Sequence, residues 1–294
     1  MRRLWRDLRQ PLSESRPVSV EHYENFPVAS VLCPPHLRPV ITAIYHFART
    51  ADDIADEGDA SAALRLADLE AYRLELTSVL GSARPAPRWN SVFAPLARLA
   101  AKYALPPPLL HALLDAFIQD VHNPIYPDRA ALLDYCSRSA DPIGRLLLHL
   151  YGIEDPTSLA QSDAICSALQ LINFWQDLSV DGPRLRHYVT QEDLQGHGLT
   201  QQDLARRKDS PAARRMVREL CSWSRALMLS GASLPLRVPG RAGWELRLVV
   251  QGGLRILEKI EQMDHAALTR RPKLGLMDVP VLLWRACRMG GIAR

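Results

Sequence analysis

Tyr45-His46-Phe47-Ala48-Arg49-Thr50-Ala51-Asp52-Asp53-Ile54-Ala55-Asp56-Glu57 is the stretch on which the reading of the chain turns. It contains no glycine or proline, and apolar residues at Ile41, Ile44, Tyr45 and Ala48 keep helical spacing, so it reads as a helix. Asp52 and Asp56 stand four apart and project from one face. On a wet face their repulsion costs only about a few tenths of a kcal/mol. On a buried face it costs far more unless a cation lies between them. The flanks are strongly apolar, so burial is expected. With no basic residue expected in register between the two acids, the pattern points to Mg²⁺.

A second stretch repeats the device. Gln170-Leu171-Ile172-Asn173-Phe174-Trp175-Gln176-Asp177-Leu178-Ser179-Val180-Asp181 places Asp177 and Asp181 four apart, with Asn173 one turn earlier on the same face. Mg²⁺ takes a few carboxylate oxygens, keeps several waters and binds phosphate oxygens. Two such faces across a helical cavity would hold metal ions around a diphosphate. One pair alone is usually a solvated face. Two pairs on apolar helices, the second followed by the basic loop Arg184-Leu185-Arg186-His187-Tyr188, turn the reading toward chemistry.

The 294 residues suit one large domain or two small ones, and an apolar share of 47% supports a substantial core. The net charge of +4 is mild and the arginines are scattered, which argues against nucleic acid but leaves phosphate or an anionic membrane surface open. Five cysteines, Cys33, Cys136, Cys166, Cys221 and Cys287, lie far apart without CxxC spacing. They predict buried free thiols in a reducing cytoplasm rather than disulfides or zinc. No apolar run is long enough to span a bilayer. The basic stretch Met1 to Arg16 has no apolar segment of the kind a signal peptide carries.

Strand signals are nearly absent, so the expected class is all-α. After an N-terminal extension over 1–17, a single domain is expected over 18–294. A short helix is predicted from Val18 to about Phe26, then the first acid helix from Pro34-Pro35 to Gly58. Further helices are predicted from a Ser61 cap to Leu80, over 89–103, 107–121 and 128–140, and from Pro142. A long one should run from Asp155-Pro156 to about Val180. Short helices near Glu192 and Gln201 precede long ones over 211–234 and 242–269, and a last one over 277–289.

Individual residues admit two readings. Arg49, three before Asp52, is either a helical ion-pair partner or a clamp for diphosphate oxygens. Tyr45, one turn earlier, faces the same space or packs in the core. Arg184, Arg186 and Tyr188 either line the mouth of a diphosphate site or form a solvated loop. Phe117, Gln119, Phe174, Trp175 and the run Leu146 to Leu150 could line an apolar tunnel, but core packing is the default for each. Gly144 early in an apolar helix implies close approach of a ligand or another helix.

Taken together, Tyr45-x-x-x-Arg49-x-x-Asp52-Asp53-x-x-Asp56, Tyr135-Cys136, Gln170-x-x-Asn173-x-x-x-Asp177-x-x-x-Asp181 and Arg186-x-Tyr188 resemble the squalene and phytoene synthase type of isoprenyl diphosphate synthase, from about His22 to Leu283. The stretches His22 to Ser30, Ala48 to Gly58, Asn173 to Asp177 and Arg271 to Asp278 are most similar to the bacterial hydroxysqualene synthases of hopanoid biosynthesis. The resemblance implies a single all-α isoprenoid-synthase helical bundle around a central cavity. It implies Mg²⁺-dependent conversion of presqualene diphosphate and water to hydroxysqualene and diphosphate, without NADPH. Asp52, Asp56, Asp177 and Asp181 would ligate Mg²⁺ with Asn173 in support. His22, Arg49, Arg184, Arg186 and Tyr188 would hold substrate, while Tyr45 and Tyr135 would orient the diphosphate or face the cation. The setting implied is the cytoplasm, at the inner membrane face, beside neighbouring hopanoid-pathway enzymes.

The chain departs from condensing relatives in four places. Gln176 stands where an arginine is usual, Asn25 where serine is, and Asp141 interrupts the Ala-Gly-x-x-Gly pattern. The tyrosine expected near Ile256 is missing. Losing an arginine and gaining Asp141 both lower the positive charge, which implies one bound diphosphate rather than two. The rival readings are head-to-head condensation to presqualene diphosphate, squalene or phytoene, and a non-catalytic helical binding protein with solvated acid pairs.

Overall fold

The computed structural model describes residues 32–289, in which every regular element is a helix. The expected 1–17 extension, the 18–26 helix and His22 lie outside the described residues. The chain forms two compact units that divide between Val121 and His122.

The first unit is built on α1 (Arg38–Asp56), α2 (Ala62–Leu80), α3 (Asn90–Tyr103) and α4 (Pro107–His122). The Pro34-Pro35 segment is a turn closed by the Leu37 N–H on the Pro34 carbonyl at 2.9 Å. The helix therefore starts later than expected, at Arg38, with Pro39 in the first turn where its missing N–H costs nothing. Ser61 caps α2 as its sequence predicts, accepting from the Leu64 N–H. Helices α1, α2 and α3 close on an aromatic core. The Tyr72 ring lies 5.5 Å from Phe47 and 4.6 Å from Phe93, and its hydroxyl donates to the Phe47 carbonyl. That core fixes the rotation of α1, and with it which face of the acid motif is turned inward.

The second unit is arranged around α7 (Pro156–Gln176), against which α5 (Arg129–Ser139), α6 (Asp141–Leu150) and α11 (Pro211–Gly231) pack, with α13 (Gly240–Gln262) alongside. The side chains of Asp128 and Asp155 cap α5 and α7. At Gly144 a Cβ would stand 2.3 Å from Ser162 Oγ and 2.6 Å from Cys166 Sγ, so this glycine sets the α6–α7 approach. The helix expected to reach Val180 breaks at Asp177 and resumes as α8 (Leu178–Asp181). The short helices α9 (Gln191–Gly196) and α10 (Gln201–Ala205) follow, and α12 (Leu234–Arg237) precedes α13.

Helix α13 stops at Gln262, well before Thr269, because Asp264 and His265 take left-handed φ values of 51° and 60°. The irregular chain that follows leads to a 3₁₀ turn, Leu276–Asp278, and to α14 (Val279–Arg288). Ion pairs fasten this end to α13: Asp278 is bound by Arg255 Nε at 2.8 Å and Lys259 Nζ at 2.7 Å, and Arg285 pairs with Glu258. All five cysteines are free, and four are buried. No helix among the described residues is long and apolar enough to cross a membrane.

Burial works to raise the Asp278 carboxyl pKa, but Lys259, the Gly275 N–H and Arg255 outweigh it and hold the group at about 2. A depressed folded-state pKa contributes stability that is present above the unfolded value and lost as pH falls through the folded one. Asp278→Asn should therefore lower stability at neutral pH by about 2 kcal/mol. Denaturant titrations of both proteins should show the gap closing between about pH 4 and pH 2.

Candidate active site

The buried stripe of α1 runs through Val40, Ala43, Ile44, Phe47, Ala48, Ala51 and Ala55, and Asp52 falls on it. Its side chain is 3% exposed, while Asp56, one turn on, is half-buried. Arg49, which the sequence offers as an ion-pair partner or a diphosphate clamp, is paired here. Its guanidinium reaches Asp52 Oδ2 at 3.2 Å, Asp53 at 2.6 Å and Glu57 at 2.9 Å. One charge is thus shared among three carboxylates. Asp52 Oδ1 is buried and accepts no hydrogen bond. Burial raises the Asp52 pKa to about 7; Arg49 pulls it down, and Asp120 and Asp56 push it further up. Asp120, itself 4% exposed on α4, was not singled out in the sequence, because its motif partner lies on a distant helix. Tyr45 is half-buried one turn before Arg49, its phenol pKa raised by burial against the pull of Arg49.

The second motif keeps its register across the helix break. The Asp177 N–H bonds the Asn173 carbonyl at 3.0 Å, and the Asp181 N–H bonds the Asp177 carbonyl at 2.8 Å. Asn173, Asp177 and Asp181 therefore remain one turn apart, and both aspartates are buried. Arg271, from the irregular segment after α13, pairs with Asp177. Next to it the Gln176 amide donates to the Pro272 carbonyl at 2.8 Å. The sequence marked Arg271 only as part of a resembling tail; its role here spans 94 positions and leaves no trace in local spacing.

The basic loop is built rather than loose. Gly182 lies so close to α10 that a Cβ would meet the Leu204 carbonyl oxygen at 2.6 Å. Leu185 takes a left-handed φ of 55°, and Asn123 Nδ2 holds its carbonyl at 2.8 Å. This geometry turns Arg186 back onto Asp181, 3.8 Å away, whereas Arg184 stays exposed. Tyr188 stacks on Phe174 with ring centroids 3.7 Å apart and planes 7° from parallel. The fully buried Tyr135 lies 6.3 Å from each of them. An aromatic wall thus adjoins the second acid motif. Trp175 turns the other way, donating to Ser224 on α11, and belongs to the core. Asp141 is buried at the start of α6 and accepts from Ser167 Oγ at 2.8 Å. Burial holds its pKa at about 7 despite that hydrogen bond, so it carries less than a full charge at neutrality.

The resemblance implies Mg²⁺, and the donors fit it. They are carboxylate and amide oxygens, and Asp52 Oδ1 is a buried acceptor left without a partner. Among the described residues no three His, Cys, Asp or Glu side chains form a ready-made metal cage.

Known proteins match this chain along most of its length. The family model for squalene/phytoene synthase matches residues 20–278. A hydroxysqualene synthase of Rhodopseudomonas palustris is 34% identical over 254 residues, covering 86% of this chain and 84% of its own. One from Zymomonas mobilis is 38% identical over 208 residues, covering 70% and 67%. The crystal structure of squalene synthase HpnC from Alicyclobacillus acidocaldarius aligns with a TM-score of 0.75 at 35% identity, over 83% of this chain and 90% of that one.

The state of Asp52 separates function from stability. Asp52→Asn removes a charge that burial already opposes, while Arg49 keeps Asp53 and Glu57. Its melting temperature in metal-free buffer should equal or exceed that of the wild type. Mg²⁺-dependent diphosphate release should fall about 100-fold or more. A variant that melts much earlier, or one that stays active, would contradict this account.

Proposed function

The chain belongs to the squalene/phytoene synthase family, and from that premise we propose that it converts presqualene diphosphate and water to hydroxysqualene and diphosphate. The observation that carries this choice over condensation is the head of the second acid motif. Gln176 is neutral there, its amide is occupied by the Pro272 carbonyl, and Arg271 is left as the cation beside Asp177. Joining two prenyl diphosphates requires holding two highly charged groups at once. A site with reduced positive charge favours a single one.

In this reading Asp52 and Asp56 in the first unit, and Asp177 and Asp181 supported by Asn173 in the second, would hold Mg²⁺. The ions, when bound, withdraw charge from the leaving group. Arg49 and Arg186 bind phosphate oxygens, with Arg184 at the outer edge of the loop and His22 as a further contact. The carbon–oxygen bond breaks with both electrons leaving on diphosphate. The cyclopropylcarbinyl cation rearranges, and a water oxygen captures it with loss of a proton. Tyr135, Phe174 and Tyr188 offer ring faces that stabilise positive charge and keep bulk water away. Tyr45 orients the diphosphate from the Arg49 side. NADPH plays no part, because no hydride is consumed. The enzyme works in the cytoplasm, at the inner membrane face, and takes its substrate from a partner that makes presqualene diphosphate.

Incubation of the purified protein with presqualene diphosphate and Mg²⁺, without NADPH, should yield hydroxysqualene and diphosphate by mass analysis. Farnesyl diphosphate alone should not be consumed. Efficient turnover of farnesyl diphosphate without a partner enzyme would sink the assignment and favour condensation.

A further inference from the structure

The C-terminal end of the second unit carries an apolar face that the proposed reaction does not use. Leu276 is 77% exposed, Met277 88%, Leu283 47% and Trp284 55%. Pro280 and Cys287 are exposed as well. Pro280, Leu283, Trp284 and Cys287 share one face of α14, and Leu276 and Met277 lie in the 3₁₀ turn directly before it. The opposite side of α14 buries Leu282 and Ala286 toward α13. Exposed apolar side chains scattered singly mean little, but a continuous face of this kind marks an interaction site.

The face is held outward. Asp278 is locked between Arg255 and Lys259, and Arg285 is tied to Glu258, so rotating α14 inward would break three ion pairs. Its charge is one-sided. From Arg271 to Met289 the one acidic residue is Asp278, which is buried, whereas Lys273 and Arg288 are exposed at the border of the apolar stripe. The Arg288 guanidinium lies 4.3 Å over the Trp284 ring. Apolar side chains including a tryptophan, rimmed by basic ones, match a bilayer surface with anionic headgroups. The chain also links this face to the acid motif. Leu276 is five residues beyond Arg271, which pairs with Asp177. At ~3.5 Å per residue the two cannot be more than about 18 Å apart.

We infer that Leu276, Met277, Leu283 and Trp284, with Lys273 and Arg288 at their rim, form a docking surface for the anionic lipid bilayer. It places the second acid motif close to where a prenyl diphosphate resides. The inference rests on the proposed function for its purpose, but the contact itself is independent of turnover.

Vesicle flotation tests it without substrate. The full-length protein should float with phosphatidylethanolamine–phosphatidylglycerol vesicles and stay in solution with phosphatidylcholine vesicles. The triple variant Leu276→Ser/Met277→Ser/Trp284→Ala should bind at least tenfold more weakly, with unchanged circular dichroism and unchanged activity on detergent-dispersed substrate. Lys273→Glu/Arg288→Glu should lose the preference for anionic vesicles. Wild-type-like flotation of the triple variant would overturn the assignment. So would a wild type that binds no vesicles but dimerises in light scattering through this face. So would a triple variant that melts earlier because the face covers another part of its own chain. If flotation behaves as stated and presqualene diphosphate is not turned over, the docking surface stands and the reaction does not.

Discussion

A carboxylate taken out of water must be answered by positive charge, by hydrogen bonds or by a proton, and Asp52 has too little of the first two. The aromatic packing of Phe47, Tyr72 and Phe93 sets the rotation of α1, and that rotation puts Asp52 on the buried stripe. Arg49 answers one oxygen and is shared with Asp53 and Glu57; among the described residues the other oxygen accepts no hydrogen bond. Burial accordingly raises its pKa to about 7. Proteins tolerate such a group where function requires it, because the same low-polarity surroundings that penalise the bare charge strengthen its attraction for an incoming cation.

The second unit solves a different problem, that of holding a helix break in register. Asp177 leaves ideal helical geometry, yet backbone hydrogen bonds on either side keep Asn173, Asp177 and Asp181 stacked. Around the break the chain is constrained from several directions. Gly182 permits contact with α10, Asn123 holds the Leu185 carbonyl, and Gln176 ties the segment to Pro272. Each is a contact between elements far apart in sequence. Together they make the basic loop a fixed part of the site and Arg186 a half-buried partner of Asp181.

The sequence exposed what depends on local spacing and concealed what depends on distant pairing. The helical class, the i,i+4 acids, the cap at Ser61 and the helix starts near Asp128 and Asp155 are written in adjacent residues and are legible there. The start of α1 was misplaced because Pro34-Pro35 makes a turn of its own. The end of α13 was misplaced because Asp264 and His265 adopt left-handed conformations that glycine would normally announce. Asp120 and Arg271 were missed as electrostatic partners because nothing near them in sequence indicates what they face. Phe174 and Trp175 show the limit most plainly. They are adjacent aromatic residues on one helix, about 100° apart. One stacks on Tyr188 beside the acid motif and the other bonds Ser224 in the core. Composition treats them alike, and only the rotation of α7 tells them apart.

The two acid motifs are alike in spacing but not in charge balance. Around the second, Asp177 is met by Arg271 and Asp181 by Arg186. Around the first, Arg49 faces Asp52, Asp53 and Glu57, with Asp120 and Asp56 adding further negative potential at Asp52. Asp53 and Glu57 are partly exposed and solvent can compensate them, but Asp52 has no such recourse. Uncompensated negative charge is therefore greatest at α1, while the second motif offers carboxylates already accompanied by guanidinium groups. Two motifs that read as copies in the sequence thus differ in how their carboxylates are answered.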